Sequence, residues 1–325
     1  VGCASGGFFN IMRSFEPHIE YTGIDLSEKA VELAVARYPE ARFVVTEGFR
    51  LPFQDNEFDI CELSFSSYII ATSRGAPLTA IPTFPRRLFS QNHIFVNTAS
   101  GIESPQDLTG KRVAIRTMQT TMSVLALGDL KFEYGVPWED IDWVTETPEV
   151  LEIDIPEGVS IEAVPKGRRI GDMLVEGEVD AMINPHPPPR VLEATDKVRY
   201  LFPDRKAEAL GYYRKHGYYP IMHLLVFRNA VVDKHPDLPR DVMRMWEDAK
   251  QQANEFYDDP GYSQLAFARH EFEAQLAALG NDPWPSGVAA NRTNIERFME
   301  YSRDQRLIAE PYPVERLFHD SVLDT

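Results

Sequence analysis

The sequence is short of cysteine, of basic residues and of long apolar runs, and each shortage removes a class of protein. Only 2 cysteines occur among 325 residues. Cys3 and Cys61 stand in unrelated contexts, without a C-x-x-C or Cys/His ligand spacing, so neither a disulfide framework nor a zinc site is indicated. Two buried, reduced thiols are expected instead. Lysine and arginine number 33 against 50 aspartates and glutamates, a formal net charge of −17. The field of such a chain repels polyphosphate, and no local basic patch offsets it, so nucleic acid and anionic membranes are excluded as partners. A small anion is not, because a few arginines can dominate one cleft. No apolar stretch approaches the ~18 residues of a membrane span. The longest, such as HLLVF at 223–227, are strand-sized. Internal repeats and low-complexity tracts are absent too, PHPPP at 185–189 being too short for a polyproline module.

What is present is the make-up of a globular protein. Hydrophobic residues are 43% of the chain, and at ~100–200 residues per domain its length suggests two domains or one two-lobed unit. The pattern predicts α/β architecture in two parts that meet near residue 58. Before that point VGCASGG, FFNIMRSF, IEYTGIDLS, EKAVELAVARY and ARFVVTEG read as turn, helix, strand, helix and strand. After it, FDICELSFSSYII (58–70) reads as strand into helix, and APLTAIPTFP (76–85) and HIFVNT (93–98) as short strands. SPQDLTGKRVAI (104–115) gives a helical turn, a glycine stop and a strand, and the run from Thr117 gives a helix ended by Gly135. GDMLVEGEVDAMI (171–183) is helix, turn and buried strand, and PIMHLLVFRN (220–229) a strand long enough to connect lobes. From Asp237 to Tyr257, the spacing of Val242, Met245, Trp246, Ala249 and Ala253 suits an amphipathic helix. Trp284, between two prolines, is expected to pin a loop.

The opening glycines offer backbone N–H groups at a helix N-terminus, and Asp25 at the next strand end offers a carboxylate for a ribose diol. VGCASGG, GIDLSEKAVELA and LPFQDNEFDI together resemble the S-adenosylmethionine-dependent methyltransferases over about residues 1–57, a partial Rossmann-like β/α segment. The resemblance implies Gly2, Gly6 and Asp25 as cofactor contacts, provided that segment functions. Two departures argue against a working methyltransferase. Phe49 follows Gly48 where that family usually has an acidic residue, and no PGG occurs anywhere. A doubly wound sheet cannot close a cofactor crevice with less than half its strands, and the glycines also suit a tight turn alone.

From about residue 58 onward the chain resembles the 4,5-dihydroxyphthalate decarboxylase family, carried by FDICELSFSSYI, AIPTFPRRLF, SPQDLTGKRVAI, YYRKHGYYPIMHLLVFR and DPWPSG with NRTNIERFMEYSRDQRL. The resemblance implies a type II periplasmic-binding-protein-like fold. Its first lobe would comprise 58–111 and 221–325 and its second 112–220, the chain crossing near Lys111 and returning near Tyr219, with the ligand between the lobes.

The residues of that cleft have their own chemistry. A helix beginning after Arg116, Thr117, Met118, Gln119, Thr120 and Thr121 presents N–H groups, hydroxyls and a guanidinium, which favour a carboxylate or phosphate. The same residues also make an ordinary Thr-capped helix with a surface arginine. Arg86 and Arg87 at a strand end can pair bidentately with a second carboxylate or serve charge balance, one of the two facing solvent. His223, between apolar neighbours, and His186, in NPHPPP, sit at lobe edges and can supply a group titrating near neutral pH, His223 foremost, or act as satisfied core histidines. Tyr68, Tyr218 and Tyr219 can stack on an aromatic ring or fill core. His216 and His235 are given no role.

The expected reaction is non-oxidative loss of CO2 from a small anionic dihydroxylated aromatic dicarboxylate. It needs no redox cofactor, and no compact His/Asp/Glu spacing points to a metal. The arginines would hold the spectator carboxylate and His223, with His186 in reserve, would do the acid/base work. An ABC-transporter-type solute-binding protein is the alternative, because the same clamp binds without chemistry; a methyltransferase remnant is third. Methyltransferase-like residues where a leader would stand favour the cytoplasm.

Overall fold

The structure, a computed structural model, describes residues 13, 18, 21–25, 28–45, 59–258 and 265–325. The chain divides into two compact units, residues 1–59 and 60–325. In the first, strands β1 (Thr22–Asp25) and β2 (Arg42–Val45) pair in parallel, Thr22 opposite Arg42 and Asp25 opposite Val45. Parallel neighbours need a crossover, and helix α1 (Glu28–Arg37) supplies it. Val31 and Ala34, three residues apart and so on one face, bury against Tyr38 and Phe43. Asp25 ends β1 as expected; its side chain, and Gly2 and Gly6 entirely, lie outside the described residues.

The second unit holds two sheets. In the smaller, β11 (Ile221–Arg228) runs antiparallel between β3 (Ile60–Ser64) and β4 (Leu78–Arg87). The larger has the order β10-β5-β9-β6-β7-β8, built from β5 (Ile94–Asn97), β6 (Arg112–Ile115), β7 (Asp142–Thr145), β8 (Ile161–Ala163), β9 (Ala181–Ile183) and β10 (Val198–Tyr200). Strands β9, β6, β7 and β8 are parallel, and β5 runs antiparallel to both its neighbours. Helices α2 (Phe65–Ser73), α3 (Thr121–Phe132), α4 (Ile170–Glu176), α5 (Arg205–His216), α6 (Leu238–Asp258), α7 (Ala268–Leu279) and α8 (Val288–Asp304) complete the unit, with short helices at Pro189–Glu193 and Asn229–Lys234.

The change of sheet falls earlier than Lys111. Because β5 already bonds to β9 and β10, the chain leaves the small sheet at residues 88–93 and returns through Tyr219 and Pro220. The two crossings lie side by side: the Leu88 N–H donates to the Pro220 carbonyl at 3.1 Å, and Phe89 stacks on Tyr219 with centroids 4.5 Å apart.

One apolar core runs through both sheets, joining Phe65 and Phe227 of the small sheet's side to Val113, Ile115, Trp138 and Trp143 of the large one and Phe298 of α8. Each such side chain contributes about 1.5–3 kcal/mol on burial. Helix α3 is buried from Thr121 to Leu130, the pattern of an interior helix without a polar face. It can lie this close to α8 because position 128 is glycine; a Cβ there would stand 2.1 Å from the Tyr301 ring. Trp284 pins its loop as expected, its indole N–H donating to the Phe84 carbonyl at 2.5 Å. Cys61 is exposed on β3 rather than buried. Among the described residues no helix is long and apolar enough to cross a membrane.

Candidate functional site

The small sheet sets the site's geometry. Side chains alternate along β11, and the register puts His223 opposite Ser64 of β3 on one side and Arg86 of β4 on the other. Glu62, opposite Leu225, is His223's diagonal neighbour, and its Oε1 lies 2.6 Å from His223 Nδ1. That contact, with Arg86 close by, holds the Glu62 carboxyl below the usual range, although burial works the other way. An ionised carboxylate only accepts, so His223 carries a proton on Nδ1, and this contact leaves Nε2 uncommitted to Glu62. Both side chains keep about a quarter of their surface, 28% and 25%, open to an incoming molecule.

Arg86 joins the small sheet to the large one. Its Nη2 lies 2.7 Å from Nε2 of His186, which the loop after β9 carries. A guanidinium has no acceptor, so His186 accepts on Nε2 and is neutral. Burial and the Arg86 charge both hold its pKa below the usual value. His186 is therefore poorly placed as the reserve acid, since the nitrogen that would move a proton is tied to Arg86. Arg116, half-buried at the end of β6, adds a second cation, with Glu146 the acidic group that offsets its desolvation.

The expected anion clamp ahead of α3 is largely occupied from within. Glu149 accepts from the backbone N–H of Met118 at 2.6 Å and of Gln119 at 3.2 Å, and from the Gln119 side chain at 2.7 Å. The Thr120 hydroxyl caps the helix by accepting from the Ser123 N–H at 3.3 Å, and the buried Thr121 hydroxyl bonds Ser64 at 2.7 Å. Thr117 is buried, and its hydroxyl has no partner among the described residues. Of the clamp, Arg116 and Thr120 stay half-exposed, whereas Thr121, Met122 and Ser123 of the first α3 turn are buried.

Two expected substrate contacts belong to the scaffold. Arg87 is 2% exposed and donates to the carbonyls of Tyr219 (2.6 Å) and Pro285 (2.9 Å) and to Asn291 Oδ1 (2.6 Å) while packing over Phe84. Its fork is spent on the return crossing and the tryptophan loop. Tyr68 is fully buried and donates to the Leu317 carbonyl, so its ring fills core. Tyr218 is also buried, against Tyr212. Tyr219 is half-buried, stacked on Phe89 and in a T-shaped contact with Trp284.

Glu62 and Glu149 were not anticipated. Glu62 did leave a signal, as the one charged residue inside the strand ICELS. Glu149 left none, because its partners come from 30 residues earlier through a loop closure that no local pattern encodes.

Comparison with known proteins finds two families whose matches overlap at residues 56–74. Residues 1–74 match the family described as Methyltransferase domain, and residues 56–150 the family described as NMT1/THI5 like. A 4,5-dihydroxyphthalate decarboxylase of Comamonas testosteroni is 34% identical over 288 residues, 86% of this chain and 87% of that protein. One from Pseudomonas putida is 32% identical over 225 residues, 67% of this chain and 83% of that protein. Among solved structures, the alkanesulfonate-binding protein SsuA from Xanthomonas axonopodis pv. citri superposes with a TM-score of 0.49 at 16% identity, covering 93% of this chain and 98% of its own. With two such relatives sharing about a third of its residues over most of its length, the chain belongs to the 4,5-dihydroxyphthalate decarboxylase family.

Proposed function

We propose that the chain is a non-oxidative decarboxylase of a dihydroxylated aromatic dicarboxylate such as 4,5-dihydroxyphthalate, with His223 as the acid/base group. The observation that carries this reading is the Glu62–His223 contact at 2.6 Å, set in register beside Arg86. Arg86, with Arg116 in support, holds the carboxylate that stays. A phenolate para to the departing carboxylate pushes electrons into the ring, His223 delivers a proton to the carbon that bears it, and CO2 leaves as aromaticity returns. Glu62 keeps the imidazole oriented and stabilises the imidazolium from which that proton comes. We place the protein in the cytoplasm, a compartment in which the exposed Cys61 thiol would stay reduced. Cell fractionation tests the location. CO2 release from 4,5-dihydroxyphthalate by the wild type, lost in folded His223→Ala, tests the activity; a His223→Ala variant with undiminished turnover would remove His223 from the mechanism.

A further inference from the structure

A cavity of about 1670 Å³, far more room than one aromatic ring needs, is lined by chain neighbours of Arg86 and His186 rather than by those residues themselves. These neighbours, Pro85, Pro185 and Pro187, line one part of it, with Phe89, Tyr219 and Trp284 as aromatic walls. His93 lines the same part, at the end of the first crossing. Its carbonyl accepts from the Asn184 N–H at 3.0 Å, and the Asn184 side chain in turn accepts from the His186 N–H at 2.8 Å, so His93 is fixed against the loop that carries His186. The ring itself is half-buried and makes no hydrogen bond among the described residues. A half-buried ring is still within reach of water, and a ligand that enters the cavity can replace that water as its hydrogen-bond partner.

We propose that His93 recognises a ring hydroxyl, its imidazole accepting a hydrogen bond from one phenol of the bound aromatic acid. The identity of that acid rests on the decarboxylase reading above. Burial and the neighbouring Arg86 charge press the His93 pKa down to about 4, so the ring is neutral at working pH and keeps an acceptor nitrogen. The division of labour follows from charge: Arg86 and Arg116 suit carboxylates, whereas a neutral imidazole suits a phenol. A site built to bond a hydroxyl rejects the analogue without it, because its own polar group is then left unpaired.

Calorimetric titration of the full chain with 4,5-dihydroxyphthalate and with phthalate, which lacks both hydroxyls, separates the two contributions. Wild type is expected to prefer the dihydroxylated acid by about ten-fold. His93→Phe abolishes the preference while leaving phthalate affinity within about two-fold, and His93→Gln, which keeps an acceptor, restores part of it. His93→Met makes the same comparison should the Phe variant not fold. Equal affinities in the wild type, or a preference untouched in the variants, would overturn the assignment. Binding with this preference but without CO2 release would count against the activity and leave the hydroxyl contact standing.

Discussion

Asp129 offers a quantitative test of how the unit's interior is arranged. It is 1% exposed on α3, and its carboxylate is met by hydroxyls alone: Ser90 donates to Oδ2 at 2.6 Å and Tyr301 to Oδ1 at 3.0 Å. Arg297 reaches it only through Tyr301, donating to the phenol oxygen at 2.6 Å. Burial without a direct cation pushes the carboxyl up to about 7. An unfolded aspartate ionises near 3.9, so at 1.36 kcal/mol per pH unit the folded state loses about 4 kcal/mol relative to its acid form. The sign follows from proton binding: between the two values the folded chain holds the extra proton, so this contribution is full below about pH 4 and is lost as pH rises to about 7. Asp129→Asn removes the titration and keeps both contacts, because an amide can accept from Tyr301 and donate to Ser90. All four tryptophans (138, 143, 246 and 284) lie in residues 60–325, so urea unfolding followed by their fluorescence reports on this unit. The free-energy gap between variant and wild type is expected to open in the variant's favour by about 4 kcal/mol from pH 4 to pH 8. A gap constant to within about 0.5 kcal/mol, or one closing with pH, would refute the reasoning.

Other consequences are more local. Glu62→Gln keeps the shape of the dyad but removes the charge that stabilises an imidazolium, and is expected to lower kcat about 10²-fold with little change in melting temperature. Arg87→Ala, which strips one bond each from the Tyr219 carbonyl, the Pro285 carbonyl and Asn291 Oδ1 and removes the donor to the buried Asn291 Oδ1, should cost about 3–5 kcal/mol in urea unfolding. Gly128→Ala separates two effects of opposite sign. Helix propensity alone favours alanine by about 1 kcal/mol, whereas the Cβ placed 2.1 Å from the Tyr301 ring predicts a net loss of about 1–3 kcal/mol; a raised melting temperature would show that α3 and α8 are looser than described.

The elements of the larger unit were legible because their signals are local. The alternation in PIMHLLVFRN, the glycine stops at 110, 135 and 177, and the proline-started turn in SPQDL each encode their own geometry, and β11, the helix ends and the turn at Pro105–Leu108 follow. Sheet membership was not local. HIFVNT reads as a strand in any sheet, and only pairing with β9 and β10 shows that the chain has already crossed by residue 94. The site divides the same way. Histidine in an apolar strand made His223 a candidate, but adjacent arginines look alike in sequence, and strand alternation sends Arg86 toward His186 and Arg87 toward Pro285 and Asn291. Threonines before a helix look like an anion clamp until Glu149, brought back by the loop after β7, fills two of its N–H groups.

The Glu62–His223–Arg86 arrangement could serve chemistry or binding alone, and the two are separable. The most direct measurement is CO2 evolution from 4,5-dihydroxyphthalate by the purified chain, run beside titration of the same ligand into folded wild type and His223→Ala. Binding by both with release by the wild type alone is the predicted result. Binding by both with no CO2 from either would contradict it and make this cleft a solute-binding site.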